Sequence, residues 1–130
     1  MPATAPLSVP DGTSAEERAE PGAQRPVDLA HLARSTMGDR SLEREVLALF
    51  ARQATLLLDR MRQAEAASVA GIAHTLKGSA RGIGAWRVAD AAERLEAARD
   101  LDSAAIEAAV AVLAGHIADA DKFIAELLSA

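Results

Sequence analysis

The chain has 130 residues, half of them apolar but only 2% aromatic, and a formal net charge of -5. That length serves one hydrophobic core and leaves no room for a second catalytic domain, while the negative balance argues against a nucleic-acid surface, which needs clustered Lys and Arg. With no cysteine, disulfides and thiolate zinc sites are excluded, and the core must come from Ala, Leu, Ile and Val at helical spacing.

All five prolines fall in the first 26 residues, mixed with Gly, Ser, Thr and acidic side chains, so residues 1–26 are expected to form a flexible tail. From Val27 onward apolar residues return every three or four positions, with no strand-like alternation and no repeat. A short helix is expected from Val27 to Met37, closed by Gly38 and capping the bundle. The next begins at a cap supplied by Asp39 or Ser41 and runs to Ala64. Leu42, Val46, Leu49, Phe50, Leu57 and Met61 stripe one side of it; Leu49 and Phe50 are read as core, with a docking surface as the alternative.

A third helix is expected from Ala66 to Gly82 or Ile83, where Gly82 and Gly84 favour a stop. A fourth, from Ala85 to Arg99, turns Val88, Ala92 and Leu95 inward, and Trp86 is expected to cover an end of the bundle. After a turn over Asp100 to Ser103 comes the last helix, with Ile106, Val110, Leu113, Ile117, Ile124 and Leu127 as its seam. Four long amphipathic helices with short connections bury their faces together as an all-α, antiparallel, up-and-down four-helix bundle, here with an additional short N-terminal helix. The domain spans residues 27–130.

The third helix carries the chemistry. On a wheel of about 100° per residue, Lys77, Gly78, Arg81 and Ala85 fall within about 60° of His74, and Val69, Ile72, Leu76 and Ile83 lie opposite. His74 therefore faces water. A solvent-facing imidazole keeps a large neutral population near pH 7, and neutral imidazole is a nucleophile toward phosphorus. Lys77, one turn on, is within reach of a group attached to His74. Gly78 costs about 1 kcal/mol of helix stability relative to Ala and leaves a notch beside the histidine.

His74-Thr75-Leu76-Lys77-Gly78-Ser79, followed by Gly84-Ala85, resembles the motif of the histidine-containing phosphotransfer (HPt) domain family. The resemblance implies a helical bundle that relays phosphoryl groups between aspartates of receiver domains, in response regulators or hybrid histidine kinases. It implies His74 as phosphoryl acceptor, Lys77 as the charge that neutralises the phosphate, Gly78 as clearance for the docking partner, and Ser79 as a hydroxyl that orients the imidazole. Arg81 and Ala85 are candidate partner contacts, although a solubilising role is preferred for Arg81. The partner would supply the acyl phosphate and a divalent ion; this chain would need no cofactor or metal and would not be an enzyme by itself, since phosphoryl transfer relies on positioning and charge neutralisation.

Alternatives stay open. The chain could be the phosphorylatable domain or a fragment of a chemotaxis-type histidine kinase, or a plain helical interaction module with an incidental histidine. His31 and His116 are read as surface or cap residues, and the three histidines lack metal-ligand spacing. Gly82-Ile83-Gly84 follows no strand, so it is not a dinucleotide loop. No segment approaches the roughly 20 apolar residues of a membrane span, and the amino terminus shows no basic-then-apolar leader. The expectation is a cytoplasmic monomer that binds neither membrane nor nucleic acid.

Overall fold

The computed structural model describes residues 25–98 and 101–130; residues 1–24, most of the stretch 1–26 expected to form a tail, lie outside the described residues, as do Arg99 and Asp100. Within them are five helices: α1 (Leu29–Ser35), α2 (Arg40–Gln63), α3 (Ala66–Ile83), α4 (Trp86–Ala97) and α5 (Ser103–Ser129). Three of the N-termini are fixed by aspartates. Asp28, Asp39 and Asp102 accept hydrogen bonds from the amides of His31, Leu42 and Ala105 at 3.1, 3.0 and 2.9 Å, satisfying donors that a helix leaves open at its start. Helix α3 ends where Gly84 enters the left-handed region with φ +82°, a conformation that costs a side-chain-bearing residue roughly 1 kcal/mol or more.

Short connections force neighbours to run antiparallel. Helix α3 packs between α2 and α4, and α5 packs against both α4 and α2, which closes an up-and-down four-helix ring. Its axis is filled by Leu76, Leu95, Leu113 and Ile124, all 2% exposed or less, with Ala54, Ala73, Ala80, Ala92 and Ala120 between them at 0%. Burying each large aliphatic side chain is worth about 1.5–3 kcal/mol, and the alanines let the helices approach closely.

The predicted stripe on α2 is corrected in part. Phe50, Leu57 and Met61 are buried, but Leu42 and Leu49 are 41% and 55% exposed, and Leu47, Ala54 and Leu58 take the inward positions. Leucines fall on more than one side of this helix, so apolar spacing alone selects the wrong stripe. The expectation about membrane spans also needs correction: α5 is long and apolar enough, by length and composition, to cross a membrane. Much of that apolar character is alanine, and the larger residues Val110, Leu113, Ile117 and Ile124 are spent on the bundle seam.

Helix α1 is joined to the α3–α4 turn. Asp28 is buried, its backbone N–H donates to the Gly84 carbonyl at 2.9 Å, and its carboxylate accepts from the Trp86 indole N–H at 3.0 Å. The His31 ring packs edge-on against Trp86 with centroids 4.8 Å apart. This latch sits about 15 Å along α3 from His74, ten residues away at about 1.5 Å each, and fixes the end of the helix that carries it.

Candidate functional site: an exposed histidine tied to a neighbouring helix

Helix α3 buries Val69, Ala73, Leu76, Ala80 and Ile83, which turns the opposite side of the helix to solvent and places His74 midway along it with 67% of its side chain exposed. The imidazole is nevertheless held. Its Nδ1 lies 2.6 Å from Oε2 of Glu96 on α4. An ionised carboxylate can only accept, so Nδ1 carries the hydrogen and donates it, and in the neutral ring the lone pair is left on Nε2. Nε2 has no hydrogen-bond partner among the described residues and faces the open side.

Lys77 completes the arrangement. Its Nζ is 2.5 Å from the other oxygen of the same carboxylate, Glu96 Oε1, and its side chain is 16% exposed. The sequence places Lys77 on an open face; in the structure it lies along the α3–α4 groove, because Glu96 draws it there. Glu96 is held below the ordinary carboxylate pKa, first by the hydrogen bond from Lys77 and then by those from His74 and their charges, with burial opposing. It therefore stays ionised throughout the neutral range.

The remaining candidates separate. Gly78 is exposed, and a Cβ built on it would meet nothing within 4 Å; the notch beside His74 is open space. Arg81 is on the same side of α3 and reaches Glu93 of α4 at 3.2 Å, so it bridges helices next to the site. Ser79 does not touch the imidazole: its hydroxyl donates to Gln53 Oε1 on α2 at 3.0 Å, on the flank of α3 away from Glu96. Ala85 is corrected as well. It is fully buried, because α3 stops at Gly84 and the wheel that placed Ala85 beside His74 no longer applies.

Sequence reasoning missed Glu96. The available signal was a charge pattern: Lys77 and Arg81, four apart, ascend one helix while Glu93 and Glu96, three apart, descend the next, as antiparallel partners would. The exposed side of α2, where Leu42, Leu49 and Leu56, the last also 55% exposed, recur every seven residues, decides for Leu49 against the core reading that the sequence favoured. Gln53, four residues after Leu49, shares that side and touches Ser79, so the leucine side of α2 lies next to Ser79 on the flank of α3. Among the described residues no three His, Asp or Glu side chains gather as metal ligands would.

Chemically, the site offers one accessible ring nitrogen, a proton held on the other, and a cation within reach. That suits nucleophilic attack from Nε2 on an electrophile whose negative charge Lys77 can offset. Residues 45–128 match the family model described as the Hpt domain. Neither a curated protein nor a solved structure matches the chain.

Proposed function

The chain belongs to the Hpt domain family, and from that premise we propose that it is a phosphorelay intermediate in which His74 accepts a phosphoryl group from a receiver-domain aspartate and hands it to a response regulator. Hpt domains are phosphotransfer modules without catalytic activity of their own and work with receiver domains. One observation carries the assignment to His74: its ring projects into solvent with Nδ1 engaged by Glu96 and Nε2 free to attack.

The residues divide the work. Nε2 attacks phosphorus in line while the partner's carboxylate leaves, and Lys77, already beside the ring, neutralises charge on the transferring group. Gly78 leaves clearance for the partner's acidic loop, and the leucine row of α2 provides apolar surface for docking. The partner supplies the divalent ion, and the protein works in the cytoplasm as a monomer.

Incubation with a receiver domain carrying labelled phosphate tests this. Label should appear on the chain as an acid-labile, base-stable adduct, and His74→Gln should abolish it. Lys77→Ala should slow transfer by tenfold or more, consistent with loss of an electrostatic contact worth at least about 1.4 kcal/mol in the transition state. Failure of the wild-type chain to exchange phosphoryl with every receiver offered would remove the proposal.

A further inference from the structure

We propose that Glu96 keeps the proton on Nδ1 of His74 after phosphorylation as well as before it, so that the phosphorylated ring is held as an imidazolium, the form that gives up its phosphoryl group most readily. The inference rests on the phosphotransfer reading above and concerns the same site.

In the forward step the Nε2 lone pair attacks phosphorus, the N–P bond forms, and the bond from phosphorus to the partner's aspartate oxygen breaks with its electron pair leaving on the carboxylate. No proton moves. The ring, neutral with hydrogen on Nδ1, becomes a cation still bearing that hydrogen. An exposed imidazolium ordinarily loses its proton near pH 6.5, which would leave a neutral phosphorylated ring; transfer from it would expel an imidazolate, a poor leaving group. With the proton retained, the leaving group is neutral imidazole and the reverse step needs no proton either.

Geometry supplies the hold. A carboxylate 2.6 Å from Nδ1 hydrogen-bonds to the cationic ring more strongly than to the neutral one, and Lys77 at 2.5 Å keeps that carboxylate ionised. Among the described residues the other charges near the ring come from α3, α4 and α2. Lys77 and Arg81 on α3 oppose retention of the proton, and Glu96 and Glu93 on α4 favour it, Glu93 being engaged with Arg81. Helix α2 presents uncharged Gln53 near Ser79 and, seven residues further along the same side, Arg60. Helix α1 brings Asp28 and His31 to the far end of α3. Among the described residues, the only negative charge in contact with the ring is that of Glu96.

The test uses the chain phosphorylated on His74 by potassium phosphoramidate, followed by phosphorus and imidazole-nitrogen NMR across neutral and alkaline pH. The phosphorylated ring of the wild type should lose its proton at least about one pH unit above that of Glu96→Gln, while Lys77→Met should move the transition upward; a general structural lesion would not give opposite signs. If Glu96→Gln loses helicity, Glu96→Asp must shift the transition in the same direction by a smaller amount. Transfer to a receiver should hold its rate through mildly alkaline pH in the wild type and fall about tenfold per pH unit in Glu96→Gln above its ring transition. Coincident ring transitions in wild type and Glu96→Gln would overturn the inference. A wild type that shows the shift yet exchanges with no receiver would uphold the proton hold and sink the phosphorelay reading, so the two fail separately.

Discussion

Ser79 shows how a side chain can belong to a motif and still face away from its chemistry. Its hydroxyl links α3 to α2 through Gln53, so Ser79→Ala should cost about 0.5–1.5 kcal/mol of stability in urea unfolding and leave the rate of phosphoryl transfer unchanged; a large loss of transfer with little loss of stability would restore an orienting role. Asp121, on α5, is strained in the opposite sense to Glu96. Its Oδ1 is buried with no hydrogen-bond partner among the described residues, and burial raises its pKa despite a hydrogen bond from Thr55. A carboxyl whose folded pKa is raised disfavours the native state while ionised and is relieved as pH falls through that raised value. Asp121→Asn should therefore stabilise the fold slightly near pH 7, by less than about 1 kcal/mol because solvent screens this partly exposed group, with the gain shrinking as pH is lowered toward 4. Thermal midpoints measured at both pH values check it; an unchanged gain would assign the effect to packing.

At the scale of helices, the latch between α1 and the α3–α4 turn sets where α3 ends. A Cβ on Gly84 would lie 2.9 Å from the Asp28 Cβ and 3.0 Å from its carbonyl oxygen, at a φ that already disfavours any side chain. Gly84→Ala is expected to cost about 2–4 kcal/mol, read as a lowered thermal midpoint, with the Trp86 environment altered in fluorescence. Equal stability would mean that the turn adapts without the Asp28 contact. Element order and most helix ends were legible because caps are local: Asp39, Gly38 and Gly84 act on amides and carbonyls within a few residues. His74, Lys77 and Gly78 were legible for the same reason, lying within about one turn. Glu96 was not. It stands 22 positions further on, by the numbering of the two residues, and only the register between α3 and α4 brings it to the imidazole. Ala85 failed differently, since a periodicity was carried past the residue that ends it.

Across the whole molecule, the core combines a few large aliphatic side chains with fully buried alanines on all four long helices, which fixes close interhelical distances. Ala120→Leu, on α5 away from the site, should overpack the seam and cost about 1–3 kcal/mol, with phosphorylation of His74 preserved at temperatures where the variant is folded. Composition announced this kind of core, since 2% aromatics leave no other material. It could not say which leucines stay outside: Leu42, Leu49 and Leu56 satisfy a heptad as well as the buried set satisfies its own spacing, and only the position of α3 and α5 against α2 decides between them.

The triad of His74, Glu96 and Lys77 spans two helices, and this makes chemical competence a gauge of tertiary order. A chain with full helix content but loosened packing would still display its histidine, yet the carboxylate would have drifted from the ring and Nδ1 would have lost its hydrogen-bond partner. In the proposed relay role such a half-assembled molecule would carry phosphate poorly, and transfer would pass mainly through copies whose helices had locked into place.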